Sequence, residues 1–394
     1  MSLIYVFVSK IKIGAFSPAS VFASIWTCLG LIPMAITNSS MLAYIYVVVA
    51  ILITLFGAVI GNGLNDSFTY RPVDLSLNHA LNKLVLSSIS IVSIIGMLLF
   101  VNSVGGLSIL ANISEASREI SVTRYGDGLK MPLVSSVAVM LTWVGLVLSF
   151  YSYLWTKKSF YFYILFFLFI ISMLNGILQT TKLPLLIIVF LLTATYFSYS
   201  VQKDEENKTL KRLLVFGPFL LIFLVLVYIS FSMLRYGWDE FDSVLLEKFF
   251  IYSYGQVFSF AYFMDNFDFN IIALEPWFYI KFFGYFADYS YKQGVYDEYI
   301  VIYDGFSSNV FTGFRPLIES FGVIGSLFFC FLCSIFSQYV YRKMKMTSTI
   351  LCVPVYIYIL LSIFMMLFNS PFLFNNITFL IFPFLFLFLL IKRN

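Results

Sequence analysis

Apolar positions come in long unbroken runs along this chain, and the polar positions gather between the runs instead of alternating with apolar ones. Ten runs stand out, near 18–37, 41–61, 81–103, 131–154, 159–176, 183–200, 212–234, 316–341, 347–369 and 372–391. At 1.5 Å rise per residue, a run of about 20 residues matches the ~30 Å hydrocarbon core of a bilayer. Barrel strands would alternate in blocks of about ten, and these runs do not, so helices are expected. The predicted fold class is all-α: a polytopic membrane helical bundle of about ten transmembrane helices, read as one membrane domain over 1–394 with a long polar insertion at 235–315.

Composition agrees with that pattern and narrows it. With 61% hydrophobic and 11% charged residues, the chain is too apolar for a soluble domain. Its net charge of +4 gives no reason to expect nucleic-acid binding, because the Lys and Arg residues follow the loops. The apolar stretch Leu3–Val8 is too short for a signal-peptide core and is expected to lie at the interface. Cys28, Cys330, Cys333 and Cys352 all fall inside predicted spans, where a thiol behaves as a small hydrophobe. Neither a disulfide framework nor a metal cluster is expected from them.

The basic residues orient the bundle. An N-terminus inside the cell puts 15 of the 24 Lys and Arg residues in one alternating set of short loops. That set is expected to be cytoplasmic, with both termini on the same side and the loops at 104–130 and 235–315 outside. The stretch from Arg235 to Glu319 also holds 12 of the 20 acidic residues, so polar chemistry is expected in the large external loop. His79, the single histidine, falls at the cytoplasmic end of the third span, which argues against an external histidine mechanism. Nucleotide sugars and ATP are absent outside, so an outward-facing enzyme needs a substrate activated on a lipid.

Candidate chemistry centres on FSSNVFTGFRPLIESFGVIG, Phe306–Gly325. Pro316 suits the first position of a helix, which sets Arg315 at an exposed helix mouth suited to phosphate. Glu319 lies one turn on, over Arg315. Two readings stand: a ligand site facing a polar cavity, or an ion pair that only anchors the helix end. Arg118, Arg124 and Arg235 also belong to outward loops, where each is either a phosphate ligand or a snorkelling anchor. Tyr252, Gln256 and Ser259 form a polar stripe at helical spacing in Lys248–Met264, and Glu275–Ala287 has a similar aromatic make-up. Both suit interfacial or re-entrant helices, with aromatic rings either lining a sugar site or packing on lipid. Among Asp288, Asp297, Glu298, Asp304 and Glu319, the pair Asp304 and Glu319 flanks the arginine-bearing helix start and is preferred as general base.

Taken together, FSPASVFASIWTCLGLIP at Phe16–Pro33, IYSYGQVFSFAYFMDN at Ile251–Asn266 and SSNVFTGFRPLIESFGVIGSLFF at Ser307–Phe329 resemble the Wzy-type O-antigen and capsular polysaccharide polymerases. Where that family leads one to expect an acid-Phe-Gly step, this chain has Glu319-Ser320-Phe321-Gly322. The resemblance implies a GT-C-like membrane glycosyltransferase of the bacterial cytoplasmic membrane that needs no metal or other cofactor. Its substrates would be undecaprenyl-pyrophosphate-linked oligosaccharides, with a flippase and a chain-length-regulating copolymerase as partners. Glu319 or Asp304 would then be catalytic. Arg315, Arg235, Arg118 and Arg124 would bind pyrophosphate, and Asn309, Tyr252 and Gln256 would orient sugar or diphosphate oxygens. A flippase or other secondary transporter of lipid-linked glycans is the alternative, although no internal repeat is visible. An O-antigen ligase is disfavoured because that family relies on an external histidine.

Overall fold

Ser17 starts the first helix of the computed structural model by accepting a bond from Ser20 N at 3.2 Å, with Pro18 at the first helical position. The structure describes residues 13–37, 40–64, 78–104, 132–178, 183–215, 254–275, 279–280, 299–303, 306–347 and 349–391, with single positions at 106, 217, 222 and 225. The helices are α1 (Pro18–Thr37), α2 (Met41–Gly63), α3 (His79–Val104), α4 (Leu133–Thr156), α5 (Ser159–Leu178) and α6 (Leu183–Gln202). They continue with α7 (Gln256–Asn266), α8 (Phe314–Met346), α9 (Cys352–Met365) and α10 (Ile381–Leu390). A short antiparallel hairpin, β1 (Ile300–Tyr303) with β2 (Phe306–Ser308), precedes α8.

Seven of these helices, α1 to α6 and α8, are long and apolar enough to cross a membrane. Their exposed positions include Leu52, Phe56, Leu84, Ile91, Phe166 and Phe328, side chains that only lipid would cover without penalty. The spans expected at 347–369 and 372–391 contain shorter helices, because turns at 366–369 and a 3-10 turn at Pro371–Leu373 interrupt them. Of the run at 212–234, residues 212–215 are helical and most of the rest lies outside the described residues.

The chain divides into two compact units, Met1–Val73 with Leu246–Phe379, and Asp74–Leu245 with Leu380–Asn394. In the first, α2 packs on α8 through glycines spaced four apart. A Cβ on Gly57 would sit 2.8 Å from Phe331 O, and one on Gly61 would sit 2.6 Å from Ile335 O. Close backbone approach lets Ser334 Oγ donate to Thr54 O at 2.5 Å and Arg342 Nη1 to Asn62 O at 2.9 Å. Gly61→Leu is therefore expected to lower the thermal midpoint of the purified protein sharply, since overpacking costs about 1–3 kcal/mol even where neighbours can yield. Gly63→Ala meets nothing within 4 Å and serves as the neutral control.

In the second unit, Gly96 lets α3 approach Ala138 of α4, and Thr142 Oγ1 donates to Ser93 Oγ at 2.7 Å. One end of this unit gathers the basic residues. Lys83 lies over Phe160, Lys157 over Tyr153 and Tyr199, and Lys203 over Trp155, while His79 Nδ1 is 3.2 Å from Tyr161 OH. The single histidine thus sits near Lys83 and Lys158.

Candidate functional site

Phe314 fixes the start of α8. Its ring is buried, with ring centroids at 4.3 Å from Trp26, 5.2 Å from Tyr46, 5.7 Å from Phe260 and 6.2 Å from Phe22. Trp26 itself opens a π-helical turn, Trp26–Leu31, a distortion that often marks functional positions. Gly313 N donates to Met366 O at 2.7 Å, so the helix start docks on the end of α9, where a Cβ at Gly313 would come within 3.2 Å of Met366 Cα.

Arg315 is the next residue, and it is not at an open mouth. Its side chain is only 3% exposed, and its backbone N–H is already held by Thr312 O at 3.2 Å. The helix begins at Phe314, two residues earlier than Pro316 suggested, and Pro316 occupies its third position, where the N–H would still lack an intrahelical partner. Aromatic faces close around the guanidinium: Phe311 at 4.0 Å, Phe263 at 5.0 Å and Phe267 at 5.0 Å. Glu319 Oε1 accepts from Arg315 Nε at 2.8 Å, and the Glu319 side chain is 21% exposed. Burying a guanidinium is expensive, and this one is offset by a carboxylate and a ring cage together.

One turn beyond Glu319 the helix breaks. Gly322 has φ 71 and ψ 177, a conformation that side-chain-bearing residues avoid. The groups released by the break are taken up by an extended strap, residues 270–275. Val323 N donates to Asn270 O at 3.2 Å and Ile324 N to Ile271 O at 3.0 Å, while Ala273 N donates to Phe321 O at 3.1 Å and Glu275 N to Ser320 O at 2.7 Å. Non-helical backbone at a membrane helix is tolerated where protein satisfies it, and here four backbone bonds do so. The break sets Phe314–Phe321, which carries both charged residues, apart from the long rod that follows.

Of the expected site residues, the structure brings Arg315 and Glu319 into direct contact. Gln256 is buried at the first residue of α7, with Ser259 on the same face and Phe263 reaching the guanidinium from that helix. Asn309 is half-buried, two residues before Phe311, and no described contact joins it to Arg315. Asp304, Arg235, Arg118, Arg124 and Tyr252 lie outside the described residues, as do Asp288, Asp297, Glu298, Pro276 and Trp277. Sequence reading missed Phe263, Phe267 and Phe311 as the cage, because 47 phenylalanines offer no way to single out three. It also missed Thr312, Ser320 and the turn at Asn369–Ser370, whose Ser370 Oγ donates to Tyr279 O at 3.0 Å.

No protein-family model matches the chain, nor does any curated protein or solved structure.

Proposed function

We propose that this chain is a membrane glycosyltransferase that polymerises lipid-linked oligosaccharide repeats at the external face of the bacterial cytoplasmic membrane. The growing glycan leaves undecaprenyl pyrophosphate for a hydroxyl on the nonreducing sugar of a new lipid-linked repeat. The anomeric carbon–phosphate oxygen bond breaks, a carbon–oxygen bond to the acceptor forms, and the acceptor proton passes to a carboxylate. The observation that carries this reading is the caged Arg315–Glu319 pair on the short helix ahead of Gly322.

Two physical points support it. First, from Val323 to Arg342 the rod of α8 rises about 30 Å, the thickness of a bilayer core. Arg342, Lys343 and Lys345 at one membrane face go with Arg315 and Glu319 at the opposite face, and we take that opposite face as the outer one because short basic loops favour the cytoplasm. Second, a guanidinium fixed among rings meets developing negative charge without solvent having to reorganise. An arriving diphosphate competes with Glu319 for Arg315, and the carboxylate so released becomes the proton acceptor, with Asp304 as the alternative base. Arg235, Arg118 and Arg124 are proposed as further diphosphate ligands, and Tyr252, Gln256 and Asn309 as groups that orient the substrate.

Incubating the purified protein with a synthetic lipid-linked repeat is expected to give a ladder of products, and no ladder under any donor would defeat the reading. Glu319→Gln keeps an oxygen for Arg315 Nε but cannot take a proton, so it is expected to lower turnover about 10²-fold or more with the protein still inserted. Full activity would move the base to Asp304. A broken helix also favours a transporter of lipid-linked glycans, since transporters use them. Such sites lie near the bilayer midplane, whereas this break falls at one end of the rod. Movement of the lipid-linked repeat across vesicles without elongation would favour the transporter.

A further inference from the structure

Buried hydroxyls in the helices of this protein generally turn back on their own backbone. Thr54, Ser90, Ser93 and Thr195 each donate to the carbonyl four residues earlier, at 2.7 to 2.9 Å. That bond is open to any helical Ser or Thr, and in a water-poor interior it is the simplest way to satisfy the group. Ser135, Ser259 and Ser320 are helical and do not make it. Together with Thr312 they are fully buried, and their hydroxyls have no hydrogen-bond partner among the described residues.

Thr312, Ser320 and Ser259 each lie within one turn of a residue that touches Arg315. Thr312 supplies the carbonyl that holds Arg315 N, Ser320 follows Glu319 directly, and Ser259 stands one turn before Phe263, whose ring touches the guanidinium. The buried indole N–H of Trp26 also lacks a partner among the described residues, and its ring packs on Phe314. A site built only for packing would carry Ala or Val at such positions, because an unsatisfied buried hydroxyl destabilises the fold. Charged groups are concentrated in Arg315 and Glu319, while these hydroxyls are neutral and can both donate and accept, as the hydroxyls of a sugar do.

We propose that Ser259, Thr312 and Ser320 form a sugar-recognising wall, hydrogen-bonding the neutral ring carried by a lipid-linked substrate while Arg315 takes its diphosphate. The inference rests on the polymerase reading and assigns it a division of labour: hydroxyls for the glycan, guanidinium for the leaving group.

The test compares wild type, Thr312→Val, Thr312→Ser and Ser259→Ala in lipid nanodiscs, with thermal midpoints and binding of two probes. One probe is a polyprenyl diphosphate bearing a disaccharide, the other the bare polyprenyl diphosphate. Thr312→Val and Ser259→Ala are expected to weaken disaccharide-lipid binding about tenfold, the worth of one neutral hydrogen bond, and to leave bare-lipid binding unchanged. The Val variant should keep or raise its thermal midpoint, since it removes an unsatisfied group without changing volume, and Thr312→Ser should behave as wild type. A lower midpoint for Thr312→Val with unchanged disaccharide-lipid binding would show a purely structural hydroxyl and overturn the proposal. Equal weakening for both probes would also overturn it, by giving the hydroxyls to the diphosphate. Wild-type protein that binds neither probe would sink the polymerase reading, and this inference with it.

Discussion

Arg315→Lys is expected to leave single repeats on the acceptor lipid and to abolish long chains, a loss of at least 10²-fold in polymer at equal protein level. The lysine variant is more telling than alanine, because it keeps a cation for Glu319 and for the faces of Phe263, Phe267 and Phe311, so the helix start should still fold. What it removes is the planar fork. Once a diphosphate displaces Glu319, a guanidinium holds it edge-on through two parallel N–H groups, whereas an ammonium offers a point charge on a flexible stem. Removing one fixed donor from a developing oxyanion typically costs about 2.7–4 kcal/mol, or 10²–10³ in rate. Chain-length distribution on a gel reads the outcome directly. Normal-length polymer from the lysine variant would reduce Arg315 to a helix anchor, the plainer of the two readings its sequence allowed.

How far this site could be read from sequence depends on which interactions were local. Arg315 and Glu319 lie four positions apart, and helical geometry alone foretells their pairing. The polar stripe through Gln256 and Ser259 was legible for the same reason. The ring cage was not, because Phe263 of α7 and Phe267 just past its end lie about fifty residues before Arg315 in sequence, and phenylalanine is too common here to mark a contact. Burial of Arg315 follows from that distant packing, which is why an exposed mouth was expected and an enclosed one found. The two-stranded hairpin was also invisible, its strands being four and three residues long and lying within a segment of mixed polarity. Gly322 shows the limit most clearly. Isolated glycines are tolerated in membrane helices, and Gly325 nearby stays within the regular helix. Only the arrival of the strap from 270–275 decides that the chain breaks at one glycine and not at the other.

Gly322→Ala is expected to abolish polymer formation nearly as completely as Arg315→Lys, but by a different route. A Cβ at Gly322 would lie 2.5 Å from Ile271 O and 2.6 Å from Ile272 Cα, and the φ of 71 with ψ 177 is itself hostile to any side chain. The backbone strain alone is of order 1–3 kcal/mol, and the strap's backbone cannot yield without losing its own bonds. The variant has one escape. Alanine is the best helix former, so α8 can run on through position 322, with the helical bonds of Val323 and Ile324 restored and the strap displaced. Helix content would then hold steady while the strap loses all four of its bonds to the break. Rejoining the two parts of α8 into one straight rod changes the direction of Phe314–Phe321, and Arg315 leaves its ring cage. Deuterium labelling of the Ala273 and Glu275 amides reports the change, because both lose their acceptors and should exchange faster in the Gly322→Ala background and remain slow in Gly63→Ala, where the added methyl meets nothing. Full-length polymer with an unchanged labelling rate would mean that the broken helix is incidental to catalysis, and that the Arg315–Glu319 pair works without the backbone geometry that separates it from the rod.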